Sequence, residues 1–390
     1  MCQGFKAAGI ASGLKKNGML DLGLIVSDTP AAVAGVFTRN RVQAAPVLLC
    51  KKRIQSGTSR AVIANSGNAN CCTGDQGMAD AVRMARLAAG ALGIAEDQVL
   101  PASTGVIGQP LAVGKIEAAL PALAAALSPD GLDDFARAIM TTDTRPKMIS
   151  RQGHVNGKTF TVTAVAKGAG MICPNMATML CFVMTDIAAE PGTLQPMLAA
   201  SVDKSFNRIT IDGDTSTNDT VLILANGMSG IFLEAGEGIS VFQEVLDAVL
   251  IELAKMVVKD GEGATKLVEI VVKAAASEED AKKIVFTVAN SNLVKTALFG
   301  QDANWGRIFA AAGRSGAVFN PEAVDIWFDD VRIVKDGLWA GSEAEQKATR
   351  ILQKPEFRII IDLKNGDGQY SGWTCDFSID YVKINADYRS

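Results

Sequence analysis

A single histidine, His154, stands among 390 residues. That scarcity excludes most imidazole chemistry. A Ser-His-Asp triad would have to use His154, and one imidazole with no Cys or Asp at ligand spacing makes no metal centre. Gln152-Gly153-His154-Val155-Asn156 reads as a solvated polar loop. Excess charge of one sign is also missing: the net charge is −4, and scattered Lys and Arg leave no basic stripe for nucleic acid. No apolar run approaches the roughly 20 residues of a membrane helix; Met179–Met184 is among the longest. No N-terminal stretch has the layout of a signal peptide. Seven cysteines, an odd number without a CxxC pair, do not read as a disulfide framework. Cys71, Cys72 and Cys181 read instead as reduced, buried small hydrophobes. Nucleotide fingerprints fail too. Gly153 to Gly157-Lys158-Thr159 has one residue too few for a phosphate loop, and Gly168-Ala169-Gly170 continues to Cys173 rather than Gly. The expectation is a cytoplasmic protein with no nucleic-acid or membrane partner.

What the chain does have is 48% hydrophobic residues and 37 glycines, the profile of a globular α/β enzyme. One domain per roughly 150 residues predicts two or three lobes. Leu22–Val26, Gly35–Thr38 and Pro46–Leu49 predict strands with tight connections, and Ala61–Asn65 a strand running into the turn Ser66-Gly67-Asn68. Met78–Leu92 and the spacing of Ile116, Leu120, Leu123 and Leu127 predict helices, with a small-residue loop at 101–108 between them. Phe160, Val162, Ala164 and Ala166 alternate with threonines as in a half-buried strand. The apolar run beginning at Thr178 predicts a strand buried on both faces. Val241–Lys259 predicts a long helix, Leu267–Lys273 a strand, and Ser277-Glu278-Glu279-Asp280 a capped helix start. The last third reads as strands at Val294–Phe299, Val324–Phe328, Arg332–Val334, Phe357–Leu363 and Trp373–Ile384, with hairpins at Asp329-Asp330 and Asn365-Gly366. The expected fold class is α/β, a layered sandwich of sheets flanked by helices.

Without histidine, base catalysis falls to a carboxylate, a lysine or an amine. In the run 167–186, Gly168 and Gly170 permit positive φ, and Pro174 fixes φ and biases Cys173 away from helix. Together they deliver Thr178 to the mouth of an apolar strand. Two readings stand. In one, this is a tight turn whose threonine caps the strand. In the other, the turn strains the Ala177–Thr178 bond, Thr178 Oγ attacks the Ala177 carbonyl, and water hydrolyses the ester. Thr178 would then carry its own α-amine, of pKa about 8, as base. Ser103-Thr104-Gly105 suits an oxyanion hole or an ordinary loop. Lys167 suits a substrate carboxylate or a solvated lysine. Glu262, between Gly261 and Gly263, suits an ammonium group or a simple helix-end turn. Thr141-Thr142-Asp143-Thr144 reads as a helix cap, and Asp212–Asp219 as a structural turn or a cation site.

Eight ordered blocks run the length of the chain: Gly4–Ile10, Asn65–Asn70, Ser103–Gly108, Lys167–Met171, Pro174–Leu180, Asp212–Asp219, Asn304–Ile308 and Tyr381–Ser390. With them the sequence resembles the ornithine acetyltransferase family of arginine biosynthesis, the glutamate N-acetyltransferases. The resemblance implies self-cleavage between Ala177 and Thr178 into an α chain (1–177), with the oxyanion loop, and a β chain (178–390), with the nucleophile and a substrate-binding C-terminal lobe. It implies that Thr178 is acetylated by N2-acetylornithine and deacylated by L-glutamate in a ping-pong cycle. By the same carry-over Thr104 and Gly105 stabilise the oxyanion, and Thr144, Lys167, Thr178, Glu262, Asn385 and Ser390 line the substrate site. Ser390 stands where many relatives end in Thr. The implied fold is a two-lobed α/β sandwich of the kind shared with N-terminal-nucleophile aminopeptidases, assembled as an α2β2 heterotetramer of its own cleavage products. No cofactor is implied, though acetyl-coenzyme A is a candidate second acetyl donor. The rival from another mechanistic class is an N-terminal-nucleophile aminopeptidase or amidase, in which water deacylates Thr178. The residue chemistry agrees with the resemblance. A zwitterionic acetylated amino acid needs a cation for its carboxylate (Lys167) and an anion for its ammonium (Glu262).

Overall fold

The computed structural model describes residues 2–16, 18–173, 179–233 and 236–387. Within them the chain forms two compact units, residues 2–207 with 214–257 and residues 208–213 with 258–387. The expected cleavage point, after residue 177, falls inside the first unit. A cut there would therefore leave both products sharing one sheet.

In chain order the strands of the first unit are β1 (Phe5–Ile10), β2 (Leu22–Phe37), β3 (Thr58–Asn65), β4 (Val99–Ser103), β5 (Lys147–Val155), β6 (Lys158–Lys167) and β7 (Leu180–Thr185). After β8 (Ile209–Thr210), which belongs to the second unit, comes β9 (Thr220–Ala225). The sheet order is β4-β3-β2-β9-β7-β6-β5, with β1 also paired to β2. Most neighbours are antiparallel, whereas β3 with β4 and β7 with β9 are parallel. Alternation of side chains builds the two faces. Leu22, Leu24, Val26, Ala61, Ile63 and Val99 meet the helices Gly74–Leu92 and Val113–Ala125 through Met84, Ala85, Ala88, Ile116, Leu120 and Leu123. The opposite residues, Ile25, Val62, Ala64, Leu100 and Ala102, pack with Val47, Cys50, Phe135 and Phe182. Each such apolar side chain gains roughly 1.5–3 kcal/mol on burial. Phe182 meets Phe135 edge-on at 5.6 Å between ring centroids. Strand β7 lies between β6 and β9 and is buried at every residue, as its unbroken apolar run predicts.

The second unit is a sheet of order β13-β12-β11-β14-β10-β15-β8. Its remaining strands are β10 (Leu267–Ala275), β11 (Asp325–Phe328), β12 (Val331–Lys335), β13 (Leu338–Trp339), β14 (Glu356–Asp362) and β15 (Gly368–Cys375). Helix Glu278–Ala289 lays Ala281, Ile284, Val285 and Val288 on Val268, Ile270 and Val272 of β10. Ser277 caps that helix as expected, its Oγ accepting the Asp280 N–H at 3.1 Å. Two sheets, each carrying helices, confirm the α/β class. No described helix is long and apolar enough to cross a membrane.

Several local expectations change. Pro46–Leu49 lies in a helix, Ala45–Arg53, with proline at its first turn, and Val294–Phe299 lies in helix Asn292–Phe299, started by the Ser291 cap. Four to six apolar residues do not distinguish strand from helix; a first-turn proline opens one of these helices and the Ser291 cap the other. Trp373–Ile384 splits: β15 ends at Cys375 and a helix spans Ile379–Asp387. Asn365-Gly366 is not a hairpin, because β14 and β15 both pair with β10, on opposite edges. His154 is on strand β5, opposite Thr159, rather than in a loop. Cys72 is exposed and only Cys71 of that pair is buried.

Candidate active site

Thr178 and Ala177, the expected nucleophile and its cleavage partner, and Ser390 lie outside the described residues. Strand β7, which begins two residues after Thr178 in sequence, is described with its surroundings. Residue Leu180 of β7 is paired on one side with Lys167, the last residue of β6, and on the other with Thr220, the first of β9. Between them, the Met179 N–H donates to Asp219 Oδ1 at 3.1 Å, and the Thr220 N–H donates to the Met179 carbonyl. The pairing therefore ends with a cation on one flank and a buried carboxyl beside the other.

Lys167 is only 3% exposed. Its ammonium donates to Thr141 Oγ1 at 2.9 Å and to Thr104 Oγ1 at 3.3 Å. The buried carboxylate of Asp143 lies 3.9 Å away, with Lys147 Nζ at 2.6 Å on its far side. Asp143 also accepts the N–H groups of Gly168 and Thr141. Burial opposes ionisation of Asp143, but the attraction of Lys167 and Lys147 and these hydrogen bonds outweigh it and hold the carboxyl well below the usual range. Lys15 closes the cluster, donating to the Met140 and Leu20 carbonyls. Burial, with Lys167 nearby adding to it against the pull of Asp21, pushes its ammonium down to about 8. Lys147 and Lys15 carry no signal in the sequence, and Thr141 and Asp143 read there only as part of a helix cap. Their spacing is ordinary, and only the sheet brings them to Lys167.

Thr104 and Gly105 follow β4 in a loop that the fold fixes tightly. The Thr104 N–H donates to Asn65 O, Ser103 Oγ donates to Asn65 Oδ1 at 2.6 Å, and Asn65 Nδ2 donates to Asn68 O. Gly105 has φ +128°, and a Cβ on it would stand 2.5 Å from the Gly67 carbonyl carbon and 2.6 Å from the Asn68 nitrogen. Only glycine fits. Because the Thr104 hydroxyl accepts from Lys167, its own hydrogen is left to donate. That is what an oxyanion hole requires, namely donors held in place before charge develops. Thr144 is exposed, and in this cluster Thr141 is the residue that meets Lys167.

In the second unit, Glu262 and Asn385 meet although 123 residues separate them: Asn385 Nδ2 donates to Glu262 Oε2 at 2.7 Å. The turn 260–266 is pinned by buried Asp376, which accepts from the N–H groups of Thr265 and Lys266 and from Thr265 Oγ1. At Gly263, with φ +66°, a Cβ would come within 2.6 Å of the Tyr381 nitrogen, so the turn seats against the helix that carries Asn385. An acceptor carboxylate on a fixed turn suits an ammonium ligand. Among the described residues no cluster of His, Cys, Asp and Glu has metal-ligand geometry.

Two helix-backed sheets, a buried lysine bonded to a threonine on a glycine-gated loop, and a separate carboxylate cradle define an α/β enzyme for small, charged molecules. Its relatives make that specific. The ArgJ family model matches residues 6–390, and the chain belongs to the ArgJ family. It is 54% identical to the arginine biosynthesis bifunctional protein ArgJ of Geobacter sulfurreducens, covering 100% of this chain and 99% of that one. It is 50% identical to the glutamate N-acetyltransferase of Methanocaldococcus jannaschii, covering 100% and 97%. A solved structure, the arginine biosynthesis bifunctional protein of Bacillus halodurans, is 41% identical with a TM-score of 0.51, covering 53% of this chain and 98% of its own. These relatives side with acetyl transfer rather than with the aminopeptidase alternative.

Proposed function

We propose that this chain is a glutamate N-acetyltransferase of arginine biosynthesis that moves the acetyl group of N2-acetylornithine to L-glutamate through acetylated Thr178. One observation carries the site assignment. Lys167, bonded to the Thr104 hydroxyl of the glycine-gated loop, is the sheet partner of Leu180, two residues past Thr178. In the first step Thr178 Oγ attacks the Ala177 carbonyl, the peptide nitrogen takes the hydroxyl proton, and water hydrolyses the resulting ester. The new α-amine, of ordinary pKa about 8, is then the base that histidine supplies elsewhere. In turnover the hydroxyl attacks the acetyl carbonyl, the Thr104 O–H and Gly105 N–H stabilise the oxyanion, and ornithine leaves with the proton. Glutamate's amine then takes the acetyl group by the reverse path. Lys167 receives the substrate carboxylate, and Glu262 with Asn385 receives the side-chain ammonium of ornithine. Thr144 and Ser390 complete the substrate-binding set.

The solved relative's chain, nearly all of which aligns to about half of this one, supports a mature protein of two chains. The reading includes an α2β2 heterotetramer of those chains in the cytoplasm. It needs no cofactor, since hydroxyl, amine and hydrogen-bond donors complete the chemistry. Relatives named as bifunctional support a second activity, for which the reading takes acetyl-coenzyme A as the acetyl donor.

Mass spectrometry of the purified protein should find two chains meeting at residues 177 and 178, and glutamate should be required for ornithine release from N2-acetylornithine. Thr178→Ala should stay full-length and inactive. Acetyl transfer by that variant would refute the nucleophile, and release of free acetate alone would refute the transferase.

A further inference from the structure

The segment Thr215–Thr220 is unexplained by the chemistry above, yet it touches both halves of the reaction centre. Asn218 Nδ2 donates to the Ala69 carbonyl at 2.7 Å and to the Ser103 carbonyl at 2.8 Å, gripping the base of the oxyanion loop. The next residue, Asp219, holds the Met179 N–H through Oδ1 at 3.1 Å, and Met179 directly follows Thr178 in sequence. The segment is itself braced from behind. Thr38 N–H donates to Asp219 O, Thr38 Oγ1 to Ser216 O, Ala44 N–H to Thr217 O, and Asn40 Nδ2 to Thr215 O. Asp219 is completely buried.

We propose that Asn218 and Asp219 are positioning residues for this reaction, a two-residue clamp that sets the nucleophile's peptide in register with the oxyanion loop. This rests on Thr178 being the nucleophile. The clamp acts through backbone groups: one side chain fixes the amide next to Thr178, and its neighbour fixes the carbonyl next to Thr104. Burial raises the Asp219 carboxyl well above its ordinary range, against the Met179 hydrogen bond, and so favours its neutral form. An acceptor oxygen, not a charge, is then what Met179 requires, and asparagine supplies one in the same place. Of the two sequence readings of Asp212–Asp219, a structural turn or a cation site, residues 215–219 take the structural one, as a clasp between loops. The buried polar side chains here are bonded: Asn218 and Asp219 to the two other loops, and Ser216, Thr217 and Thr220 to Asn218 within the segment.

The test compares self-cleavage rate, kcat and KM of native protein with Asp219→Ala, Asp219→Asn and Asn218→Ala. Asp219→Ala and Asn218→Ala should each lower the cleavage rate and kcat by about 10²-fold, the cost of a misplacement of about 1 Å, while KM changes less than threefold. Asp219→Asn should restore both rates to within about fivefold of native. Ala variants that cleave and turn over within threefold of native would overturn the clamp. So would an Asn variant as slow as Asp219→Ala, which would assign the acid's proton instead. If Asp219→Ala does not fold, Asn218→Ala with the Asp219→Asn rescue decides alone. Failure of the native protein to cleave, or to need glutamate, would instead remove the underlying assignment of function, so the two failures are distinguishable.

Discussion

Replacing Gly105 with alanine should damage catalysis far more than stability. The added Cβ would sit 2.5 Å from the Gly67 carbonyl carbon, 2.6 Å from the Asn68 nitrogen and 2.8 Å from the Gly67 Cα, all backbone atoms with no rotamer to yield. Normal carbon contacts begin near 3.5 Å, so one loop must retreat by about 1 Å. The φ of +128° adds strain on the order of 1–3 kcal/mol for a residue with a side chain. Both sides are tied to Asn65, Asn68 through its carbonyl and Thr104 through its N–H, so a retreat of either side shifts the 104–105 peptide relative to its neighbours. Misplacing or losing one oxyanion donor costs about 10²–10³-fold in kcat. The expected result is therefore a kcat about 100-fold or more below native, with KM for N2-acetylornithine within a few-fold and a melting temperature only a few degrees lower. Steady-state kinetics on protein verified as cleaved gives the first two, and calorimetry the third. A Gly105→Ala enzyme with kcat within threefold of native would refute the placement of the oxyanion hole. A collapse of the fold with no soluble protein would refute the claim that the loop absorbs the strain.

Three further outcomes follow from the same geometry. Asp143→Asn leaves Lys147 and Lys167 facing a neutral amide in a fully buried site and should cost about 3–5 kcal/mol by urea titration. The depressed Asp143 pKa has a definite sign: its stability contribution is fully present above the unfolded value near pH 4 and is lost as pH falls below that toward the folded value, so the native–Asn difference should shrink only below about pH 4. Phe182→Ala removes a buried ring packed on Phe135 and should cost about 3–5 kcal/mol; a loss under 1 kcal/mol would contradict the packing described. Asn385→Ala removes the partner of Glu262 and should raise KM for N2-acetylornithine about tenfold with little change in kcat, whereas an equal fall in kcat would place Asn385 nearer the chemistry.

Much of the site was legible as a list. Thr104, Gly105, Lys167, Glu262 and Asn385 were all named from the sequence, and the structure brings Lys167 to Thr104 and Glu262 to Asn385. Their partners were not legible. Asp143 looks like part of a helix cap, and nothing local says that Lys147 and Lys167 converge on it from adjacent strands. Asp219 looked like a turn residue because its partner, Met179, is 40 positions away. Local patterns carry hydrogen bonds within a few residues, whereas these pairs form only when sheet order places distant segments side by side.

The elements that failed were short apolar runs. Pro46–Leu49, Val294–Phe299 and the end of Trp373–Ile384 are all helical, because a short apolar run fits either period and local helix starts, such as the first-turn Pro46 and the Ser291 cap, override it. Longer periodic segments held: Met78–Leu92 lies in helix Gly74–Leu92, and Phe160–Ala166 lies in β6. The sequence alone thus determined the α/β class, the poverty of histidine chemistry, and a threonine delivered to the mouth of an apolar strand. Tertiary structure alone decided that Leu180, two residues after that threonine, pairs with Lys167 and Thr220, that a backbone contact leaves room only for glycine at 105, and that Asn218 and Asp219 join the two loops. The physical reason is range: periodicity and turn chemistry act over a few residues, but charge compensation and close packing depend on which strands become neighbours.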